Sequence, residues 1–219
     1  MVIKKPLLFP VLFILFGITT QTVAYIFGNE NLLSYISGVF GVVAVVLTSL
    51  KKISMYLFSF LQLFTYMVLA YDQHLYGELA ENVFYAITMI AGVFIWIKHY
   101  NGNVVETKSL NATGWIFTVA GCVASSISLY FILRNSDDTQ PFMDAISTTP
   151  AIIAQILMIT RYREQWIFWL IVDVTTCILW VNANNWCMVF QYVFWTFNCI
   201  YGWVLWSKKE NRNRITTTI

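Results

Sequence analysis

Uncharged apolar stretches of roughly 20 residues recur along this chain, and a helix of that length crosses the hydrocarbon core of a bilayer. The first covers residues 6–27 and ends at Asn29-Glu30. The second, 32–50, ends at Lys51-Lys52, and the third, 53–71, runs into a polar turn from 72 to 77. Residues 78–97 form the fourth, with Glu78 and Glu81 at its entrance, and a hydrophilic stretch (98–111) separates it from the fifth, 114–133. After the polar connection 134–138 come 144–160, 165–181 and 186–206, with 182–185 as the last turn and a polar tail from Lys208. Within a bilayer each span must be a helix, because no other single segment satisfies its own backbone polar groups. The pattern predicts an all-α integral membrane protein with eight transmembrane helices.

Composition agrees with the pattern. Of 219 residues 58% are hydrophobic, 17% aromatic and 11% charged, where a soluble domain carries about 25% charged residues. So few charges cannot coat a globular surface, and so many aromatics exclude disorder. Thirteen Lys and Arg against eleven Asp and Glu leave no basic footprint for nucleic acid.

The placement of charge orients the spans. With both termini on one side, that side holds Lys4, Lys5, Lys51, Lys52, Lys98, Lys108, Arg161, Arg163, Lys208, Lys209, Arg212 and Arg214, and the other side holds Arg134 alone. The positive-inside rule then puts both termini in the cytoplasm, with membrane lipid as the surrounding partner. Thr22-Val23-Ala24 would pass as a leader cleavage site, but residues 6–27 are read as a retained first span.

Little of the chain suits site chemistry. Cys122, Cys177, Cys187 and Cys199 lie in apolar stretches, with no pair at metal-ligand spacing, and read as small packing residues. His74 and His99, the only histidines, fall in polar connections, away from where a zinc site or a Ser-His pair would need them. With no phosphate-cradling Gly-rich loop, the expectation is a protein that is not an enzyme and holds no cofactor or metal.

Sliding the chain against itself by 110 residues aligns 32–98 with 142–208 without a gap, and thirteen of the 67 pairs are identical. Phe84 meets Phe194, Gly92 meets Gly202, Trp96 meets Trp206 and Lys98 meets Lys208, while Lys51 falls opposite Arg161. Two three-helix units share an orientation only if an odd number of helices joins them, and the fifth span supplies that helix. Its Gly121, Ala124, Ser125 and Ser128 suit close helix packing. The organisation expected is an additional N-terminal helix (1–31), a first repeat (32–98), a loop and linker helix (99–141), a second repeat (142–208) and a cytoplasmic tail (209–219). Such a 3+1+3 plan with parallel repeats places a substrate at the repeat interface near the midplane.

Tryptophan in membrane proteins is commonly an interfacial anchor. By position Trp96, Trp115, Trp166, Trp203 and Trp206 are expected to anchor at the cytoplasmic interface, and Trp180 and Trp186 at the outer one. Trp195 instead sits near the centre of its span, and Trp169 is intermediate. Polar groups at that depth are costly and mark pathways. Asp173 is the one carboxylate near a span centre, joined by Gln62, Thr88, Gln155, Gln191 and Asn198. Interhelical hydrogen bonding would also account for the amides, and a buried neutral acid for Asp173.

Spacing gathers these groups. Gln191, Trp195, Asn198 and Gly202 share one helical face, and their partners at the repeat offset are Glu81, Tyr85, Thr88 and Gly92. Trp166, Trp169, Asp173 and Thr176 form another face. Flat aromatics, amides and one carboxylate make a cage for a planar polar heterocycle, above all a cationic one.

The run Ala154-Gln155-x-Leu157-Met158, then Arg161, Glu164, Trp166-x-x-Trp169 and Asp173-Val174, resembles the PnuC-type vitamin transporters. Asn198-x-x-Tyr201-Gly202-Trp203-x-x-Trp206 adds to the likeness, which covers about residues 32–209. Where members carry a Tyr-Gly-Trp cluster at the end of the third core helix, this chain reads Ile90-Ala91-Gly92-Val93 and has the cluster in its second half. The resemblance implies a SWEET-like fold and facilitated uptake of a vitamin precursor, nicotinamide riboside first, with trapping by intracellular phosphorylation. It also implies an oligomer, with a homotrimer as the expected form. The substrate-contacting set expected on this basis is Trp195, Asn198, Gln191, Asp173, Gln155, Trp169, Tyr85, Thr88, Gln62 and Tyr201. A thiamine carrier on the same fold and a non-transporting ligand-binding receptor are the rival readings.

Overall fold

The computed structural model of the chain describes residues 8–28, 31–72, 76–135, 141–182 and 186–216. Eight helices occupy them: α1 (Leu8–Gly28), α2 (Leu32–Ser49), α3 (Met55–Asp72), α4 (Tyr76–Lys98), α5 (Ala112–Arg134), α6 (Pro141–Ile159), α7 (Gln165–Asn182) and α8 (Trp186–Thr216). Five of these contain segments long and apolar enough to cross a membrane: α1, α2, Glu81–Lys98 of α4, α5 and α6. The apolar stretches of α3 and α7 are shorter, Met55–Leu69 and Gln165–Ile178. Asn31 and Asn111 cap α2 and α5, each accepting a 2.7 Å hydrogen bond, from Ser34 N–H and Gly114 N–H, which satisfies donors that a helix start leaves orphaned. Helix α8 continues through residues expected to be tail, because Lys, Glu and Arg are good helix formers and no Gly or Pro interrupts them. His74 lies outside the described residues, as do the side chains of Trp180, Trp186 and Cys187.

Two helix ends are built alike, 110 residues apart. After α2, Lys51 takes a left-handed φ of 60°, its N–H bonding Thr48 O while Lys52 N–H bonds Leu47 O. After α6, Arg161 does the same at φ 71°, its N–H on Met158 O and Tyr162 N–H on Leu157 O. This paired arrangement satisfies the last carbonyls of each helix, with glycine as the usual left-handed residue. Here a cation stands in that place, and its side chain has work elsewhere.

That work is to hold the polar stretch between α4 and α5, which runs as a strap across both turns. Val105 N–H donates to Lys51 O and Lys108 N–H to Arg161 O, each at 3.0 Å, and Arg163 N–H returns a bond to Lys108 O. Lys51 Nζ reaches Thr107 Oγ1 (3.1 Å) and Arg161 Nη1 reaches Glu106 O (2.8 Å). Burial pulls the Arg161 guanidinium below its ordinary pKa, while the Glu106 carboxylate and Tyr162 push it back. Val105, within the strap, is fully buried.

Beside the strap, α4 closes on α6 and α8 closes on α2. Trp96 of α4 donates Nε1–H to Met158 O of α6 (3.2 Å), and Trp206 of α8 donates to Thr48 O (3.3 Å) and Ser49 O (3.2 Å) of α2. Tyr56 stacks edge-on to Trp96 and Trp166 edge-on to Trp206. Gly92 and Gly202 make room: a Cβ at Gly92 would meet Tyr56 and Ile159, and one at Gly202 would meet the Trp166 indole. Trp96, Trp166 and Trp206 are therefore core residues, not the interfacial anchors their positions suggested, and Trp96 and Trp206 spend their N–H groups on carbonyls of a facing helix.

Two helices stand outside this core. Helix α1 packs across α2 and α8, with Phe13, Ile14 and Ile18 against Val42, Val46 and Phe194. Helix α5 packs on α6 through Trp115 and Cys122. Gly121, Ala124, Ser125 and Ser128 are exposed, so the expected small-residue face makes no helix contact among the described residues.

Candidate functional site

A cavity of about 270 Å³ lies among α2, α3, α4, α6, α7 and α8. It runs from Thr48, Met158 and Trp166 near the strap end to Glu81, Asp144 and Met188 at the opposite end, where α4, α6 and α8 begin. Trp96 and Trp206 pack beyond its strap-end floor.

Helix α7 gives the cavity its chemistry. Gln165, Trp169, Asp173 and Thr176 line it at successive turns. Trp169 meets Tyr85 of α4 edge-on at 6.2 Å, and Tyr85 O–H donates to Glu81 Oε1 (2.6 Å). Asp173 is 2% exposed and accepts from Cys199 Sγ at 3.2 Å. Cys199 is thus a donor to the central carboxylate as well as an apolar packing residue.

Helix α8 faces it with Gln191, Trp195 and Asn198. Gly41 of α2 lets this wall close: a Cβ there would stand 3.2 Å from the Trp195 ring, 3.4 Å from Gln62 and 3.6 Å from Gln191. Trp195 packs edge-on to Tyr192 at 5.2 Å, and its buried Nε1 has no hydrogen-bond partner among the described residues. Asn198 is engaged at both ends of its amide, accepting from Ser49 Oγ (3.0 Å) and donating to Val45 O (3.2 Å). It ties α8 to α2 while lining the wall.

Eight of the ten expected site residues therefore converge: Gln62, Tyr85, Gln155, Trp169, Asp173, Gln191, Trp195 and Asn198. Thr88 sits one layer back, accepting from Gln155 Nε2 at 3.0 Å. Tyr201 does not join them. It packs on Phe9 and Phe13 of α1, at 5.1 and 5.5 Å, because its position turns it off the face that Trp195, Asn198 and Gly202 share.

Sequence reasoning missed Asp144, Asn82, Tyr66 and Gln165 as lining residues. Asp144 and Gln165 stand at or near helix starts, where polar residues read as caps and boundaries. Glu81 lines the cavity as well, although in the sequence it stands out only at the entrance of its span and as the repeat partner of Gln191. Taken together the lining holds three carboxylates (Glu81, Asp144, Asp173), several aromatics and amides, and no Lys, Arg or His among the described residues.

A bundle of apolar helices around a polar, aromatic-walled cavity is the architecture of a multi-pass membrane transporter. Residues 31–208 match the family model described as nicotinamide mononucleotide transporter, and the chain belongs to that family. A curated relative from Neisseria mucosa, named nicotinamide riboside transporter PnuC, is 30% identical, the match covering 94% of this chain and 83% of the relative. Relatives of the same name from Haemophilus influenzae and Escherichia coli are 29% and 25% identical, covering 93% and 80% of this chain and 92% and 85% of their own lengths. The crystal structure of the vitamin B3 transporter PnuC is similar in fold, with a TM-score of 0.80 at 30% identity over 93% of this chain and 92% of that one. The chain is a transporter and not an enzyme.

Proposed function

We propose that this chain carries nicotinamide riboside, a cationic vitamin B3 precursor, across a bacterial inner membrane. The observation that carries the reading is the cavity lining: paired aromatic walls and three carboxylates with no basic side chain among the described residues. The matched family is described by the mononucleotide and the curated relatives are named for the riboside. A phosphate would ordinarily be met by Arg, Lys or a cluster of N–H donors, whereas a pyridinium is met by aromatic faces and carboxylates. The lining favours the riboside.

In this reading Trp195 and Trp169 stack on the ring. Gln62, Gln155, Gln191 and Asn198 form the polar wall, Tyr85 and Thr88 support it, and Asp173 balances charge or orients a polar group of the solute. The fold reading is eight spans with both termini cytoplasmic, an added first helix, and a 3+1+3 SWEET-like core of two parallel repeats (32–98 and 142–208). The matched turns at Lys51 and Arg161 and the exchanged Trp96 and Trp206 bonds support it. Rocking of the two units exposes the site alternately, and the packed tryptophans close the strap end in this conformation. Transport is facilitated diffusion, with phosphorylation trapping the solute inside. The homotrimer rests on the resemblance alone.

Calorimetric titration of detergent-purified protein with nicotinamide riboside, nicotinamide mononucleotide, thiamine and riboflavin tests the reading. Saturable binding of the riboside with the mononucleotide excluded is the expected result. Thiamine binding alone would keep the cavity and change the vitamin, and binding without uptake into liposomes would make the chain a receptor.

A further inference from the structure

Gln165 opens α7 and is fully buried, yet neither its Oε1 nor its Nε2 has a hydrogen-bond partner among the described residues. The next residue, Trp166, is 4% exposed, and its Nε1 is likewise unpartnered. Both residues line the cavity. Buried polar atoms are almost always hydrogen-bonded, and each exception calls for a reason. At the matching place in the first half, α3 begins with Met55, which is equally buried and needs no partner. The amide is thus not required to fill that space.

We propose that Gln165, with Trp166, binds the primary carboxamide of the transported pyridinium. The inference rests on the nicotinamide riboside reading and names the part of the solute this end of the cavity takes. A carboxamide offers one acceptor and two donors. Its N–H donates to Gln165 Oε1, and its carbonyl accepts from Gln165 Nε2–H and Trp166 Nε1–H, so every orphaned atom finds a complement. Register fits as well. Trp169 lies one turn along α7 from Gln165, about 6 Å along the axis, and Asp173 one turn further. A ring stacked at Trp169 then points its carboxamide to the strap end and its ribose toward Asp173 and the acidic mouth. A carboxylate in place of the carboxamide would leave Gln165 Oε1 without a donor, so the site discriminates the amide from the acid.

The test titrates the purified full chain with nicotinamide riboside, its carboxylate analogue, and N-ribosylpyridinium lacking the carboxamide. Wild-type protein should prefer the carboxamide by about tenfold or more over either, because a site built around a polar group rejects analogues that lack it. Gln165→Met, which copies the residue of α3, should erase that preference while leaving N-ribosylpyridinium binding unchanged. Equal weakening of all three ligands by Gln165→Met, or a wild-type protein that does not discriminate, would overturn the proposal while leaving the riboside reading intact. Failure of the wild type to bind any of the three would instead overturn the riboside reading, and this proposal with it. Should Gln165→Met not fold, the wild type titrated with the N,N-dimethyl carboxamide decides. That ligand keeps the carbonyl and lacks both N–H donors, so a loss of about tenfold is expected, and undiminished affinity would refute the assignment.

Discussion

Helices α3 and α7 stand 110 residues apart, each entered from a left-handed turn and each laying an aromatic of its first turn, Tyr56 or Trp166, on a glycine of the next helix. Along α3 the positions matched to Gln165, Trp169 and Asp173 are Met55, Ser59 and Leu63. The same packing thus encloses sulfur, hydroxyl and methyl groups in one half, and an amide, an indole and a carboxylate in the other. Scaffold symmetry and site symmetry are separable. The turns, the exchanged Trp96 and Trp206 bonds and the glycine contacts need matched shapes on both sides, so they repeat. A single asymmetric solute needs different groups at its two ends, and the cavity is accordingly uneven.

Breaking the matched part should cost most. Trp206→Ala and Trp96→Ala each remove a fully buried indole and its N–H bond to a facing helix, so each should lower stability by about 3–5 kcal/mol, read from thermal unfolding in detergent. A large loss from one variant and none from the other would show that the two closures are not mechanically equivalent. Next comes the uneven part: Trp195→Ala should weaken riboside binding at least about tenfold, or ~1.4 kcal/mol, and wild-type affinity in calorimetry would remove the stacking role. Asp173→Asn keeps the shape and drops the charge, and should weaken binding or uptake by on the order of fivefold, about 1 kcal/mol. Unchanged affinity and flux would take Asp173 out of the site. Smallest of all is Tyr201→Phe, whose hydroxyl faces α1 packing; affinity should stay within about 0.5 kcal/mol of wild type, and a larger loss would return Tyr201 to the cavity.

Much of this was legible along the chain. All eight helices begin and end within a few residues of the apolar stretches except at the end of α8, and the face shared by Gln191, Trp195 and Asn198 does line the cavity. Other features were not. Trp96, Trp166 and Trp206 stand where interfacial anchors stand, and nothing local distinguishes an indole at a headgroup from one that caps a helix 62 or 158 residues away. The stretch 99–111 reads only as hydrophilic, although its backbone ties both helix turns together. Gln165 reads as a helix boundary, and its significance appears only when its two amide atoms prove buried and unpartnered among the described residues, in a residue that lines the cavity.

The sequence by itself determined the helical stretches, their expected orientation, the 110-residue correspondence and the kind of polar groups they carry. Transfer free energy is a sum over neighbouring residues, and helical faces follow from a fixed period, so both can be read locally. The tertiary structure decided which polar groups meet. Ser49 and Asn198 bond across 149 residues, Gly41 admits Trp195 beside Gln62, and Tyr201 turns away to α1. Those outcomes depend on the rotation of each helix against partners remote in the chain, and that rotation is set by the packing of all of them at once.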